Sequence, residues 1–122
     1  AKLYYMIALQ TAVSNKEIAC KMLNLAGEND ASSGKYEVLL KDIYLSSVDE
    51  CGLTQIQRKA VYQLALQSIQ KAAKIESRYQ DNANKLAKEF EKYNFTKEEL
   101  KQLKKSDNSI QVDCWIKRKI QF

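Results

Sequence analysis

The sequence predicts an all-α fold, a single helical domain over residues 1–122 with five or six helices bundled around one long central helix at about residues 54–93. Three observations carry that expectation. The run from Thr54 to Tyr93 holds neither Pro nor Gly. The whole chain of 122 residues has no Pro and three Gly, which suits helices joined by short turns and disfavours sandwiches, barrels and doubly wound sheets. Apolar residues also return every three or four positions through most segments, the spacing of one helix face.

In chain order, residues 2–13 place Leu3, Tyr4, Ile7, Ala8 and Thr11 on one face of a first helix. Ser14-Asn-Lys-Glu17 reads as a capping box, in which the hydroxyl accepts from a backbone N–H three residues on and the carboxylate reaches back. It either opens a second helix or lies inside a longer one. Ile18, Ala19, Met22, Leu23, Leu25 and Ala26 continue an apolar face, and Gly27 supplies a C-terminal stop. Residues 28–34 (ENDASSG) are a polar loop, with Ser32 or Ser33 able to cap the next helix. Tyr36, Leu39, Leu40, Ile43, Tyr44 and Val48 then form a helical stripe that ends at Cys51 and Gly52.

The central run opens with a second capping box, Thr54 with Gln57. One face continues through Val61, Ala65, Ser68, Ala72, Ile75, Tyr79, Ala83, Leu86, Phe90 and Tyr93. Up to Ala73 a second line (Tyr62, Leu66, Ile69, Ala73) accompanies it, so this half should be surrounded by neighbours, whereas beyond Ile75 one narrow face is left. Forty helical residues would span about 60 Å, against about 35 Å for a globule of this chain length. Such a helix must break or project. Asp81-Asn-Ala-Asn84 is its weakest stretch, and a continuous or merely bent helix is the expectation adopted.

After Tyr93, Asn94-Phe-Thr96 marks a turn and is also an N-x-T glycosylation sequon. Thr96 with Glu99 makes a third capping box, and a short helix should run to about Lys105. The tail 110–122 reads two ways. Ile110, Val112, Cys114, Ile116, Ile120 and Phe122 alternate as a half-buried strand would, while Val112, Trp115, Ile116, Lys119 and Ile120 share a helix face. A lone strand would lack a partner among helices, so helix is the preferred reading.

Composition removes several kinds of chemistry. With no His, neither Ser-His-Asp nor Cys-His nucleophiles nor His-ligated metals are available. Gly27, Gly34 and Gly52 stand alone, so no phosphate-cradling Gly motif exists. The carboxylate pairs Asp49/Glu50 and Glu98/Glu99 are adjacent in helical sequence and point apart. No catalytic residue, cofactor or metal site is assigned, and the chain is not expected to be an enzyme. Cys20, Cys51 and Cys114 lie far apart without a Cys-x-x-Cys pattern, which leaves one disulfide between two of them or three thiols.

The net charge of +5 falls wholly in residues 61–122, because residues 1–60 hold seven basic and seven acidic side chains. That placement invites an acidic partner. No apolar run reaches the ~20 residues of a membrane helix. A chain that opens on Ala1 fits signal-peptide removal, hence a lean to a secreted or periplasmic setting with cytoplasm as the alternative.

The function expected is non-enzymatic protein–protein binding, of the inhibitor, immunity-protein or adaptor type. Interface candidates are Tyr4, Tyr5, Tyr36, Trp115, Lys117, Arg118 and Lys119, aromatics that anchor contacts beside basic residues. Alternatives are a nucleic-acid-binding protein using the basic second half, and an apolar-ligand carrier with a cavity between helices. An overlong helix also offers a surface for a homodimer or larger homo-oligomer.

Overall fold

The computed structural model describes residues 1–122, all but the side chain of Arg118. Among the described residues there are six α-helices: α1 (Lys2–Thr11), α2 (Lys16–Asn29), α3 (Lys35–Glu50), α4 (Gln55–Ile75), α5 (Gln80–Glu89) and α6 (Lys97–Lys105). Single 3-10 turns at Ser77–Tyr79 and Phe90–Tyr93 flank α5, and a hairpin of β1 (Ser109–Val112) and β2 (Arg118–Gln121) ends the chain. The all-α class therefore holds, with a small sheet added.

Local chemistry sets three of the six helix starts. Thr54 accepts the Gln57 N–H while the Gln57 side chain accepts the Thr54 N–H, and Thr96 with Glu99 repeats the arrangement, so both boxes form where expected. The box expected at Ser14 does not form. Asn15 is the cap instead, its side chain accepting from the Ile18 N–H, and a turn separates α1 from α2. Gly27 does not stop α2, which runs two residues further to Asn29. Neither Ser32 nor Ser33 caps α3. Ser32 donates instead to Asp30, and Gly34 occupies the cap position of α3 without a capping side chain of its own.

The forty-residue helix is not formed. α4 ends at Ile75, Glu76 is extended (φ −136°, ψ 116°), and the break precedes the Asp81–Asn84 stretch, which lies inside α5. The cause is tertiary. The Gly34 N–H at the start of α3 needs an acceptor, and the Glu76 carboxylate, off the helix axis, accepts it at 2.7 Å. The Tyr79 ring then lies on Gly34, so close that a Cβ there would sit 2.9 Å from both that ring and the Ala72 carbonyl. Only glycine fits. α5 packs against α4 and closes a second small core of Ile69, Ala72, Ala73 and Ala83. Burying Ala83 this way removes apolar surface that a projecting helix would leave in water.

The centre of the bundle is the pair α3–α4, not a single spine. The main core gathers Leu40, Ile43, Tyr44 and Val48 of α3 with Val61, Leu64 and Ala65 of α4, and Leu23 of α2 joins it.

The tail is neither a helix nor a lone strand. β1 and β2 pair antiparallel in the register Ser109↔Gln121, Ile110↔Ile120, Gln111↔Lys119, Val112↔Arg118. That register puts the alternating Ile110, Val112 and Ile120 into the core, which a helix could not do with all three. Its connecting loop places Cys114 and Lys117 at positive φ, and Cys114 is bridged to Cys51 at the end of α3.

Candidate interaction surfaces

The aromatic interface candidates are mostly inside. Tyr36 is buried, and its hydroxyl donates to Asp30 at 2.9 Å. Hydrogen bonds from Ser32 and then Tyr36 hold the Asp30 carboxyl below its ordinary value, while burial and this same acceptor push the Tyr36 phenol up. Tyr5 meets Tyr36 edge-on at 5.5 Å, with the Lys35 ammonium near both rings. Tyr4 and Tyr5 are half-buried against the core. Trp115 stacks on Tyr44 at 5.6 Å and donates its indole N–H to Ser47 of α3. Lys117 lies 3.4 Å from Glu17, Lys119 is exposed, and the Arg118 side chain lies outside the described residues. Two of the three cysteines, Cys51 and Cys114, form the disulfide, and Cys20 is not part of it.

The structure brings together a different set. Leu3, Met6 and Leu9 of α1 share about a third of the helix circumference at 3.6 residues per turn, opposite the buried Ala8 side. Val13 extends the same side into the following turn. Leu3 is 67% and Val13 88% exposed, and Met6 and Leu9 are about half exposed. No charged residue lies between Leu3 and Asn15. The signal was in the sequence. Between Lys2 and Lys16 the segment is apolar on more sides than one neighbour can cover, which is the mark of a helix touched from two directions.

The basic second half is not one continuous positive surface. Lys71 pairs with Glu37, Arg78 with Glu76, Lys101 with Glu98 and Lys117 with Glu17. Further in, Lys59 of α4 and Glu99 of α6 form an ion pair that is nearly covered on both sides, 9% and 15% exposed. Burial alone would raise the Glu99 carboxyl, but hydrogen bonds from Lys59 and from Thr96 outweigh it and the carboxyl lies below its ordinary value.

A groove also runs between α2 and α4 over α3, lined in part by Asn24, Glu37, Tyr44 and Lys71. Among the described residues no group of three Asp, Glu or Cys side chains is placed to hold a metal ion, and no helix is long and apolar enough to cross a membrane. Compared with protein-family models, with curated proteins and with solved structures, the chain matches none of them.

Proposed function

We propose that this chain works by binding another protein, in the manner of an inhibitor, immunity protein or adaptor, and that the outer face of α1 is its contact surface. One observation carries the reading: Leu3, Met6, Leu9 and Val13 stand together in water on a face without charge. Scattered exposed apolar residues are ordinary, but a contiguous set of this kind marks an interaction surface. Fully covering one Leu, Met or Val side chain contributes roughly 1.5–3 kcal/mol, so four together offset a substantial part of the cost of association. Lys2 is the exposed charge at the edge of the patch, since Lys16 is buried and paired with Glu50.

Affinity capture from the native source tests the reading, with the wild-type chain run beside a variant carrying Leu3→Gln, Met6→Gln, Leu9→Gln and Val13→Gln. A partner held in fixed stoichiometry by the wild type and lost with the variant, at unchanged helical circular dichroism, is the expected result. A partner that the variant retains at the same affinity overturns it. Nucleic-acid binding through the basic half is the weaker reading because Glu89, Glu91 and Glu98 interrupt its cations and, among the described residues, four of the thirteen, Lys71, Arg78, Lys101 and Lys117, are paired with carboxylates. A mobility shift with single- or double-stranded nucleic acid at low salt would restore it.

A further inference from the structure

Away from α1, the helices α2 and α4 each pack on α3 but scarcely on each other, and the gap between them is a groove. It has two lobes, of about 420 and 380 Å³, and Asn24, Glu37 and Lys71 border both. Leu40, Tyr44, Leu64 and Ile116 make the floor of the first lobe. Leu23, Tyr36 and Ile75 make that of the second. At the junction the Glu37 carboxylate meets the Lys71 ammonium at 3.3 Å.

We propose that this groove is a binding site for a small amphipathic amine, with the ligand ammonium on Glu37 and its apolar body along the floor between α2 and α4. The two members of the ion pair are unequal. The Glu37 side chain is 18% exposed and fixed at the centre, whereas Lys71 is 67% exposed at the end of a flexible stem. An ion pair with one partner in water adds little, so Lys71 can swing aside and yield the carboxylate to a ligand cation. The second lobe is chiefly apolar, and the first is mixed, its apolar floor of Leu40, Tyr44, Leu64 and Ile116 bordered by Asn24, Gln67, Ser68 and Lys71.

Charge selects the ligand. The groove is lined by Glu28, Asp30 and Glu37 against Lys71 alone, an acidic surplus in a chain of net charge +5. Asp30 is already engaged by Ser32 and Tyr36, and Glu28 is exposed at the mouth, which leaves Glu37 as the carboxylate a bound ammonium meets. An anionic amphiphile would meet only Lys71, with Glu37 beside it and Glu28 and Asp30 in the second lobe opposing it. Along α3 the span from Glu37 to Tyr44 is about 10 Å at ~1.5 Å per residue, enough for a chain on the order of eight carbons. The chain also carries its own reporter, because Trp115 stacks on Tyr44, which lines the first lobe.

The test titrates the full chain with octylammonium, octanoate and octanol, read by Trp115 fluorescence and by calorimetry. Octylammonium should bind saturably at one site, with octanoate at least about tenfold weaker, the size of one charge-assisted contact. Glu37→Gln should weaken octylammonium by about the same factor while leaving octanol unchanged. Asn24→Trp, an exposed rim position common to both lobes, should block all three. Octanoate binding as tightly as octylammonium, absence of saturation by octylammonium, or an unaltered affinity in a folded Glu37→Gln variant would each overturn the proposal. Should Glu37→Gln fail to fold, the ratio of octylammonium to octanoate on the wild type decides it. None of these outcomes depends on α1, so the reading of that face stands or falls separately.

Discussion

The two ends of the chain both close over the bundle, and they are attached by opposite means. α1 has no side-chain cap and lies on α2, with Ala8 and the two tyrosines Tyr4 and Tyr5 turned to the core. Leu3, Met6 and Leu9 face water. The segment from Thr96 to Phe122 leaves only Leu100 and Phe122 exposed among its large apolar residues, well apart in sequence, and is tied inside by specific links: a capping box, the Lys59–Glu99 pair, the Trp115–Ser47 hydrogen bond and the Cys51–Cys114 bridge. The difference separates two uses of a terminal element. A segment held by covalent and polar ties with most of its apolar residues inside is finished as structure. A segment that keeps large apolar residues outside after packing has surface left for a second body to cover.

The contrast can be broken at the C-terminal end first. The bridge spans 63 residues of sequence, and the chain-entropy model assigns a closed loop of that size about 4 kcal/mol. Cys51→Ser with Cys114→Ser should lower the unfolding free energy by that amount in a urea titration. An unchanged midpoint would mean that the hairpin is held by burial alone.

Removing the Glu99 carboxylate should come next. Glu99→Ala leaves the Lys59 ammonium covered and unpaired, a loss of about 3 kcal/mol, visible in the same titration. The pair also sets a pH dependence. Because the folded Glu99 carboxyl lies below its unfolded value, the unfolded state takes up the proton first on acidification. Its contribution is complete above the ordinary carboxylate pKa and is lost as pH falls through the depressed folded value. The wild type should therefore lose stability on acidification, and Glu99→Gln should remove this part of the slope. A slope identical in the two proteins would show that other carboxyls carry it.

A smaller effect is expected at the indole. Trp115→Phe keeps an aromatic ring beside Tyr44 but leaves Ser47 without its donor, at a cost of about 1–2 kcal/mol. Smallest of all should be the α1 face. Each Gln replacement at the mostly exposed Leu3 or Val13 should move stability by no more than about 0.5 kcal/mol, and at the half-covered Met6 or Leu9 by about 1 kcal/mol, measured by thermal melts. Large destabilisation by any one of them would make α1 a structural element like the C-terminal segment and remove the basis of the contrast.

Much of the fold was legible in the residues. The stripes over α3 and α4, the Thr54 and Thr96 boxes and the span of α6 all stem from spacing and side-chain chemistry that act within one turn. The interface residues were less legible. Tyr36 and Trp115 carry both apolar rings and polar handles, and sequence does not say which end finds a partner inside. Here Asp30 and Ser47 take the handles, and the rings go in. Leu3, Met6, Leu9 and Val13 look like core residues by type, and their exposure depends on how many neighbours α1 has.

What the sequence determined alone is therefore the helical class, the central stripes and the Thr54 and Thr96 caps, because those depend on interactions between residues a few positions apart. Three features were decided by tertiary structure: the break at Glu76, the hairpin at 109–121 and the pairing of Cys51 with Cys114. Each rests on groups far apart in sequence. The Gly34 N–H takes the Glu76 carboxylate 42 residues away. The core over α4 buries Ile110, Val112 and Ile120 together only when two strands pair. The bridge forms because this pairing sets the connecting loop against the end of α3. Local period and propensity carry no information about such contacts.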